Sequence, residues 1–348
     1  MGPVNGTLVA EAGDVCWLRA DVALAAAARR QAGQLARGIC LSEEQVARVE
    51  LCVTEMATNL LKHAHDGSLA LRVARARGRA AVECLSLDDG PGIDDLQRAL
   101  RDGTSAAGSL GIGMGAIGRL ADASGVHSLR GRGTVVLARF WADGQAPSSG
   151  PVGTAGLTRP ISGEQVCGDT WAVRAVSGRG SDALLLMMCD GLGHGPLAAR
   201  VAERARAAFR DSRHVSPAAV LQDVHEGLRG TRGAAVAIAL IDLVDQRVRL
   251  SGAGNITALV GNGDTRSGLL SMPGIVGLQL PRPRTFEAAF PPGAALVMHS
   301  DGLSERWRPA DFPGLFVQDP SLVAAQILNQ AAVRRDDAGV VVAVHGQR

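Results

Sequence analysis

Four acidic stations in this sequence are spaced to work as oxygen ligands. Asp190 ends the apolar run Leu184-Leu185-Leu186-Met187-Met188-Cys189 and is followed by Gly191, Gly193 and Gly195. Asp301 lies in Ser300-Asp301-Gly302 after a second apolar run, Asp336-Asp337 precedes a third, and Asp169 follows Cys167-Gly168. One Asp-Gly pair is equally a turn between strands. Four carboxylates, each delivered by a buried strand, instead point to hard divalent cations such as Mg²⁺ or Mn²⁺.

A second constellation occupies the first half. Glu55, Asn59 and His63 recur at i, i+4 and i+8, on one helical face, with Lys62, the sole lysine of the chain, beside them. Such a stripe is also what the wet face of an amphipathic helix looks like. Asp88-Asp89-Gly90-Pro91-Gly92 ends a strand-like run, so the Asp88 carboxylate could accept a bond from an exocyclic amine while the glycines admit a flat ring. Gly111, Gly113 and Gly115 then lead into a helical pattern over 116–121. Glycine-rich backbone entering a helix presents N–H groups to phosphates, although alone it reads equally as a loop.

The elements that must hold these residues follow from periodicity. Strands are expected over 4–10, 69–74, 80–87, 126–129 and 134–140, and a helix over 21–37. Ser42 with Gln45 forms a capping box that opens the helix carrying Glu55. The stretch 144–163 is rich in Gly, Pro, Ser and Ala and reads as a linker. Beyond it, strands are expected over 166–176, 183–189, 234–241, 247–250, 256–260, 285–290, 294–298 and 339–344, with helices over 197–209, 217–228 and 322–332. The boundaries are therefore 1–142 for the first domain, 143–162 for a flexible linker and 163–348 for the second, each in the α+β class.

Composition narrows the class. The chain has 348 residues, a formal net charge of +2 and 46% hydrophobic residues, enough for two cores and no electrostatic case for nucleic acid. Arg72, Arg75, Arg77 and Arg79 have no aromatic residues among them and read as a solvated face. Six cysteines, at 16, 40, 52, 84, 167 and 189, form no CxxC pair, which fits a reducing compartment. No apolar run approaches the ~18 residues of a membrane span. A cytoplasmic protein without membrane contact is expected, its oligomeric state open.

Glu55-xxx-Asn59, then Asp88-x-Gly90-x-Gly92, then Gly111-x-Gly113-x-Gly115 resembles, in that order, the Bergerat (GHKL) ATP-binding fold over about residues 1–141. The segment Gly111 to Asp122 is most similar to the RsbT-type switch kinases. The resemblance implies an α/β sandwich binding ATP with Mg²⁺. Asn59 would hold Mg²⁺, Glu55 would be general base on a Ser/Thr hydroxyl, and Asp88 would bind the adenine amine. Gly90 and Gly92 would shape that pocket, Gly111, Gly113 and Gly115 would cradle phosphates, Lys62 would touch a phosphate, and Thr134 would lie near the adenine.

Residues 160–346 resemble the PPM (protein phosphatase 2C) superfamily in its SpoIIE/RsbX branch, through Gly163 to Asp169, Asp190 to Gly195, Ser300-Asp301-Gly302 and Asp336-Asp337. That implies a β-sandwich flanked by helices and metal-dependent hydrolysis of phosphoserine or phosphothreonine. Asp190 would bridge two Mn²⁺ or Mg²⁺ ions, with the Gly191 carbonyl on one, Asp301 and Asp336 on the other, and Asp169 binding directly or through water. His194 is either a general acid or a loop residue. Gly339 stands where the family commonly has Thr. The families resembled imply a bifunctional kinase/phosphatase acting on a STAS-domain partner of the anti-anti-sigma or stressosome type. The alternatives are a phosphatase regulated by a nucleotide-binding docking domain, and an anti-sigma factor.

Overall fold

The computed structural model describes residues 6–76, 78–100, 114–147, 150–178, 181–333 and 335–346. Its chain divides into two compact units, Gly13–Ser148 and a discontinuous one made of Met1–Ala12 with Ser149–Arg348.

The chain opens with β1 (Gly6–Glu11), which belongs to the discontinuous unit. The inserted unit follows with β2 (Val15–Arg19), α1 (Leu24–Gly38), α2 (Glu43–His63), β3 (Ser68–Ala76), β4 (Arg79–Leu87), α3 (Leu96–Leu100), α4 (Met114–Leu120), β5 (Ala123–Leu129) and β6 (Gly133–Trp141). Its strands form one antiparallel sheet in the order β2-β3-β4-β6-β5. The helices lie on one face, where Val49, Val53, Met56 and Leu60 of α2 bury against Leu69, Leu71, Val82, Cys84 and Val136. The capping box starts α2: Gln45 N–H donates to Ser42 Oγ at 3.2 Å and Ser42 N–H to Gln45 Oε1 at 3.0 Å. Arg72, Glu83 and Arg139 stand opposite one another on β3, β4 and β6, with Glu83 held at 2.6 Å by each guanidinium. Burial alone would raise the Glu83 pKa, but the two arginines hold it down at about 2.

The discontinuous unit continues with β7 (Val152–Arg159), β8 (Asp169–Gly178), β9 (Ser181–Gly191), α5 (Gly195–Asp211), α6 (Pro217–Gly227), β10 (Ala234–Asp242), β11 (Arg247–Ala253), β12 (Thr257–Asn262), β13 (Thr265–Leu269), β14 (Phe286–Ala289), β15 (Ala295–His299), α7 (Pro320–Ala331) and β16 (Ala338–His345). Two antiparallel sheets result, β1-β8-β9-β10-β11-β14 and β13-β12-β15-β16-β7. Leu186 and Met188 of β9 point between the sheets, among Leu296, Met298 and Val341. Leu185 and Met187 point the other way, under Val201 and Phe209 of α5. That two-sided burial explains an unbroken apolar run, and each such side chain contributes roughly 1.5–3 kcal/mol.

Two expectations about domain limits are corrected. The first strand belongs to the second unit: Leu8 pairs with Arg174 and Thr7 with Ala175 of β8. The supposed linker 143–162 contains β7, which pairs along its length with β16 from Ala338↔Arg159 to His345↔Val152. The division 1–142, 143–162 and 163–348 thus gives way to an insertion. Among the described residues no helix is long and apolar enough to cross a membrane.

Candidate active sites

In the discontinuous unit the acidic stations share one end of the sheets. Asp169 opens β8 and Asp190 lies one residue before the end of β9, and the two are register partners. Asp301 and Asp336 follow β15 and precede β16, which are hydrogen-bonded neighbours. Asp169 is buried, its Oδ2 accepting the Ser300 hydroxyl at 2.5 Å, while Ser300 Oγ accepts Gly339 N–H at 3.0 Å. Asn255 Nδ2 donates to Asp301 Oδ2 at 2.6 Å. Neither Ser300 nor Asn255 was singled out from the sequence as a supporting residue. The Ser-Asp-Gly triplet was a signal for the first, while Asn255 in a Gly-Asn turn carried none.

The tandem aspartates divide their work. Asp337 is buried, and its carboxylate accepts Ile161 N–H at 2.7 Å and Gly168 N–H at 2.6 Å. It therefore holds the strand-to-strand segment ahead of Asp169. Asp336 is exposed and accepts Asp337 N–H at 2.9 Å. Gly339 is a glycine for a physical reason: a Cβ there would lie 2.4 Å from Met188 Cε and 2.9 Å from Asp169 Cβ.

The electrostatics are those of a carboxylate cluster. Burial and then the charges of Asp301 and Asp336 push Asp190 up to about 7. Burial and then Asp190 push Asp169 well above its ordinary value, against the Ser300 bond, and burial and then Asp336 raise Asp301. Among the described residues no three His, Cys, Asp or Glu side chains already close around one point as ion ligands. The donor set nevertheless fits divalent cations. Asp169 Oδ1 is a buried oxygen without a hydrogen-bond partner among the described residues, and the neighbouring carboxylates hinder one another's ionisation. Gly191, buried at the end of β9, follows directly. His194 is the N-cap residue of α5, mostly exposed, with Nδ1 3.2 Å from Glu164 Oε1.

In the inserted unit, α2 carries Glu55 and Asn59 partly buried and Lys62 exposed. Burial raises the Glu55 pKa and Lys62 opposes it. The turn after β4 packs against the end of α2: Asp89 N–H donates to His65 O at 3.0 Å, and a Cβ on Gly90 would sit 3.0 Å from His63 O. Asp88 Oδ1 accepts Gly90 N–H at 2.7 Å, and Asp88 N–H donates to Thr134 O at 3.1 Å. Burial is the largest influence on Asp88 and raises its pKa, against backbone hydrogen bonds to its carboxylate from Gly90 and Thr134. Gly133 has φ +103°, and a Cβ on it would lie 1.8 Å from Asp88 O, so only glycine lets β6 pass the turn. A Cβ on Gly92, at φ +73°, would lie 2.4 Å from the Leu129 carbonyl oxygen. Thr134 Oγ1 is 2.9 Å from Ser128 Oγ, which accepts Ile93 N–H at 2.8 Å. Ser128 was not anticipated. Arg48 of α2 donates to Leu120 O at 3.0 Å and Asp122 Oδ1 at 3.1 Å, tying α4 to α2. Gly115 lies in the first turn of α4, while Gly111 and Gly113 fall outside the described residues.

The inserted unit resembles a histidine kinase-like ATPase domain and the discontinuous unit resembles a SpoIIE-type domain. Residues 18–140 match the family of histidine kinase-like ATPase domains and residues 180–341 match stage II sporulation protein E. Over 115 residues the chain is 30% identical to the serine/threonine-protein kinase RsbT of Bacillus subtilis (strain 168), covering 33% of this chain and 86% of that protein. Through its inserted unit the chain belongs to the RsbT family. A solved structure described as the bacterial stressosome, a modular system adapted to control secondary messenger signaling, matches with TM-score 0.50 and 31% identity over 55% of this chain and 98% of that one. RsbX in complex with magnesium matches with TM-score 0.49 and 17% identity over 57% of this chain and 98% of that one.

Proposed function

We propose that the chain is a bifunctional switch enzyme, phosphorylating a Ser or Thr on a STAS-domain regulator with its inserted unit and removing that phosphate with the other. The observation that carries the phosphatase half is the buried Asp169 Oδ1, without a hydrogen-bond partner among the described residues, in a cluster of carboxylates that hinder one another's ionisation. Asp190, Asp301, Asp336, Asp169 and the Gly191 carbonyl would hold two Mn²⁺ or Mg²⁺ ions. Such a pair, when bound, supplies a hydroxide near neutral pH and neutralises phosphoryl oxygens. The chain's own groups set the ligands: Ser300 orients Asp169, Asn255 orients Asp301, and Asp337 fixes the segment before Asp169. In the hydrolysis, water oxygen bonds to phosphorus, the P–O bond to the Ser or Thr oxygen breaks, and that oxygen leaves protonated.

The kinase half rests on Glu55. Its pKa, raised by burial, suits a base that takes the proton of a Ser or Thr hydroxyl as the γ-phosphoryl group moves to that oxygen and ADP departs. Asn59 would hold the nucleotide's Mg²⁺, Asp88 the adenine amine, with Gly90, Gly92 and Thr134 around the ring, and Lys62 and the Gly111–Gly115 segment at the phosphates. The kinship with RsbT and the likeness to a stressosome component support a STAS-domain substrate. Two opposed activities on one bond require that partner or nucleotide state favour one at a time. Equal steady rates under every partner and nucleotide condition would refute that control.

The test uses purified protein, a STAS-domain partner and labelled ATP, with Asp190→Ala beside wild type. Label accumulating on the partner only with Asp190→Ala, and abolished by adding Glu55→Ala, is the expected result. No label in either protein, while wild type still strips a prephosphorylated partner, makes the inserted unit a nucleotide-dependent docking domain. Co-purification with a sigma subunit and no phosphate turnover would instead point to an anti-sigma factor.

A further inference from the structure

The loop that follows Asp190 is overlain by a cation outside the ligand set. Arg232 stands two residues ahead of β10, whose Ala234 and Ala235 pair with Gly191 and Asp190. Gly233 O accepts Leu192 N–H at 3.1 Å, so the two loops run side by side past the strand ends. The guanidinium crosses that seam: Arg232 Nη1 donates to Leu192 O at 3.4 Å and would lie 2.9 Å from a Cβ on Gly193. Gly193 therefore leaves room for the arginine.

Several other arginines of this unit are held in ion pairs. Arg249 pairs with Asp245 and Glu287, Arg210 with Glu11, and Arg229, on the same loop as Arg232, with Glu226 at 3.1 Å. Arg232 is exposed and has no carboxylate within ion-pair distance among the described residues, although the carboxylate cluster adjoins the loop it covers. The charge balance gives it a purpose. Two divalent cations against ionised Asp169, Asp190, Asp301 and Asp336 sum to zero, and a phosphomonoester then brings about two negative charges at neutral pH. A planar guanidinium, always charged and able to donate two parallel bonds, is the side chain suited to that load.

We infer that Arg232 binds the phosphoryl group of the substrate at the rim of the carboxylate cluster. The inference rests on the phosphatase reading and deepens it. Its role is recognition of a phosphate dianion rather than ligation of metal or support of the fold.

The experiment measures binding of inorganic phosphate by calorimetry in excess Mg²⁺, and KM and kcat for p-nitrophenyl phosphate, in the full chain carrying Arg232→Ala, Arg232→Lys or the control Arg229→Ala. Expected for Arg232→Ala are a phosphate Kd and a KM each raised about tenfold, the loss of one charge-assisted contact, with Mg²⁺ affinity and Tm unchanged. Arg232→Lys should recover part of the loss and Arg229→Ala should match wild type. Wild type that binds phosphate and turns over substrate while Arg232→Ala equals it overturns the assignment alone. A fall in Mg²⁺ affinity and Tm with unchanged phosphate affinity also overturns it, making Arg232 a brace for the Leu192 loop. Wild type that neither binds phosphate nor hydrolyses the ester removes the phosphatase reading itself.

Discussion

Replacing Asp337 by Ala tests the division of labour between two adjacent aspartates. The carboxylate is 3% exposed and takes two backbone N–H groups, from Ile161 at 2.7 Å and Gly168 at 2.6 Å. Bonds to a charged acceptor contribute about 1.5–3 kcal/mol each, and both donors would lose their acceptor. Removing the carboxylate also removes its own burial cost, already visible in its raised pKa. The net loss should be about 3 kcal/mol, or a Tm drop of roughly 6–12 °C for a unit of this size. Asp336→Ala removes an exposed side chain whose bond to the Asp337 N–H is local, and should cost under ~1 kcal/mol while weakening divalent-cation binding. Thermal unfolding in EDTA, followed by Mn²⁺ titration of each variant, separates the two. If Asp337→Ala keeps its Tm within about 2 °C while Asp336→Ala unfolds early, the reasoning from hydrogen bonds is wrong.

The pH response of the metal-free protein has a definite sign. Asp190 titrates near 7 in the fold, above its unfolded value near 3.9, so its contribution is full below pH ~4 and is lost as pH rises through 7. The discontinuous unit should therefore melt lower at pH 8 than at pH 5 in EDTA, and saturating Mg²⁺ should remove the difference; a flat profile in EDTA would contradict the clustered carboxylates. Ser300→Ala leaves Asp169 Oδ2 and Gly339 N–H without their shared partner, and should weaken Mn²⁺ binding about 10- to 100-fold by titration. Gly133→Ala places a Cβ 1.8 Å from Asp88 O at φ +103° and should abolish binding of a fluorescent ATP analogue, whereas retained affinity would mean the turn is not part of the pocket.

Locally encoded features were legible in the sequence. The Ser42–Gln45 box marks the start of α2, and the run Leu184 to Cys189 marks a strand buried on both faces, because each rests on neighbours a few residues apart. What failed was long-range. The small residues of 143–162 read as flexibility, yet Gly156 is small because a Cβ would meet the Trp171 ring at 2.5 Å, and Gly153 because it would meet Pro320 Cγ at 2.8 Å. The carboxylates were visible from their strand-end positions, but that Asp336 is exposed and Asp337 is a buried backbone acceptor depends on the segment 161–168, which no local pattern announces.

The placement of β1 reaches into how the chain is made. β1 pairs Leu8 with Arg174, 166 residues further along the chain, so it must wait while the whole inserted unit is synthesised. Closing so long a loop costs little more than closing a moderate one, about 0.6 kcal/mol per doubling, so the penalty is delay rather than stability. During that delay, and permanently in any fragment cut at residue 149, β8 is an open sheet edge beginning at Asp169. Arg206 and Arg210 of α5, which clasp Glu11, would lose their counter-charge in the same cut. An isolated fragment beginning at residue 149 will therefore tend to add foreign strands to β8, and a well-behaved one has to carry residues 6–12 grafted back onto that edge.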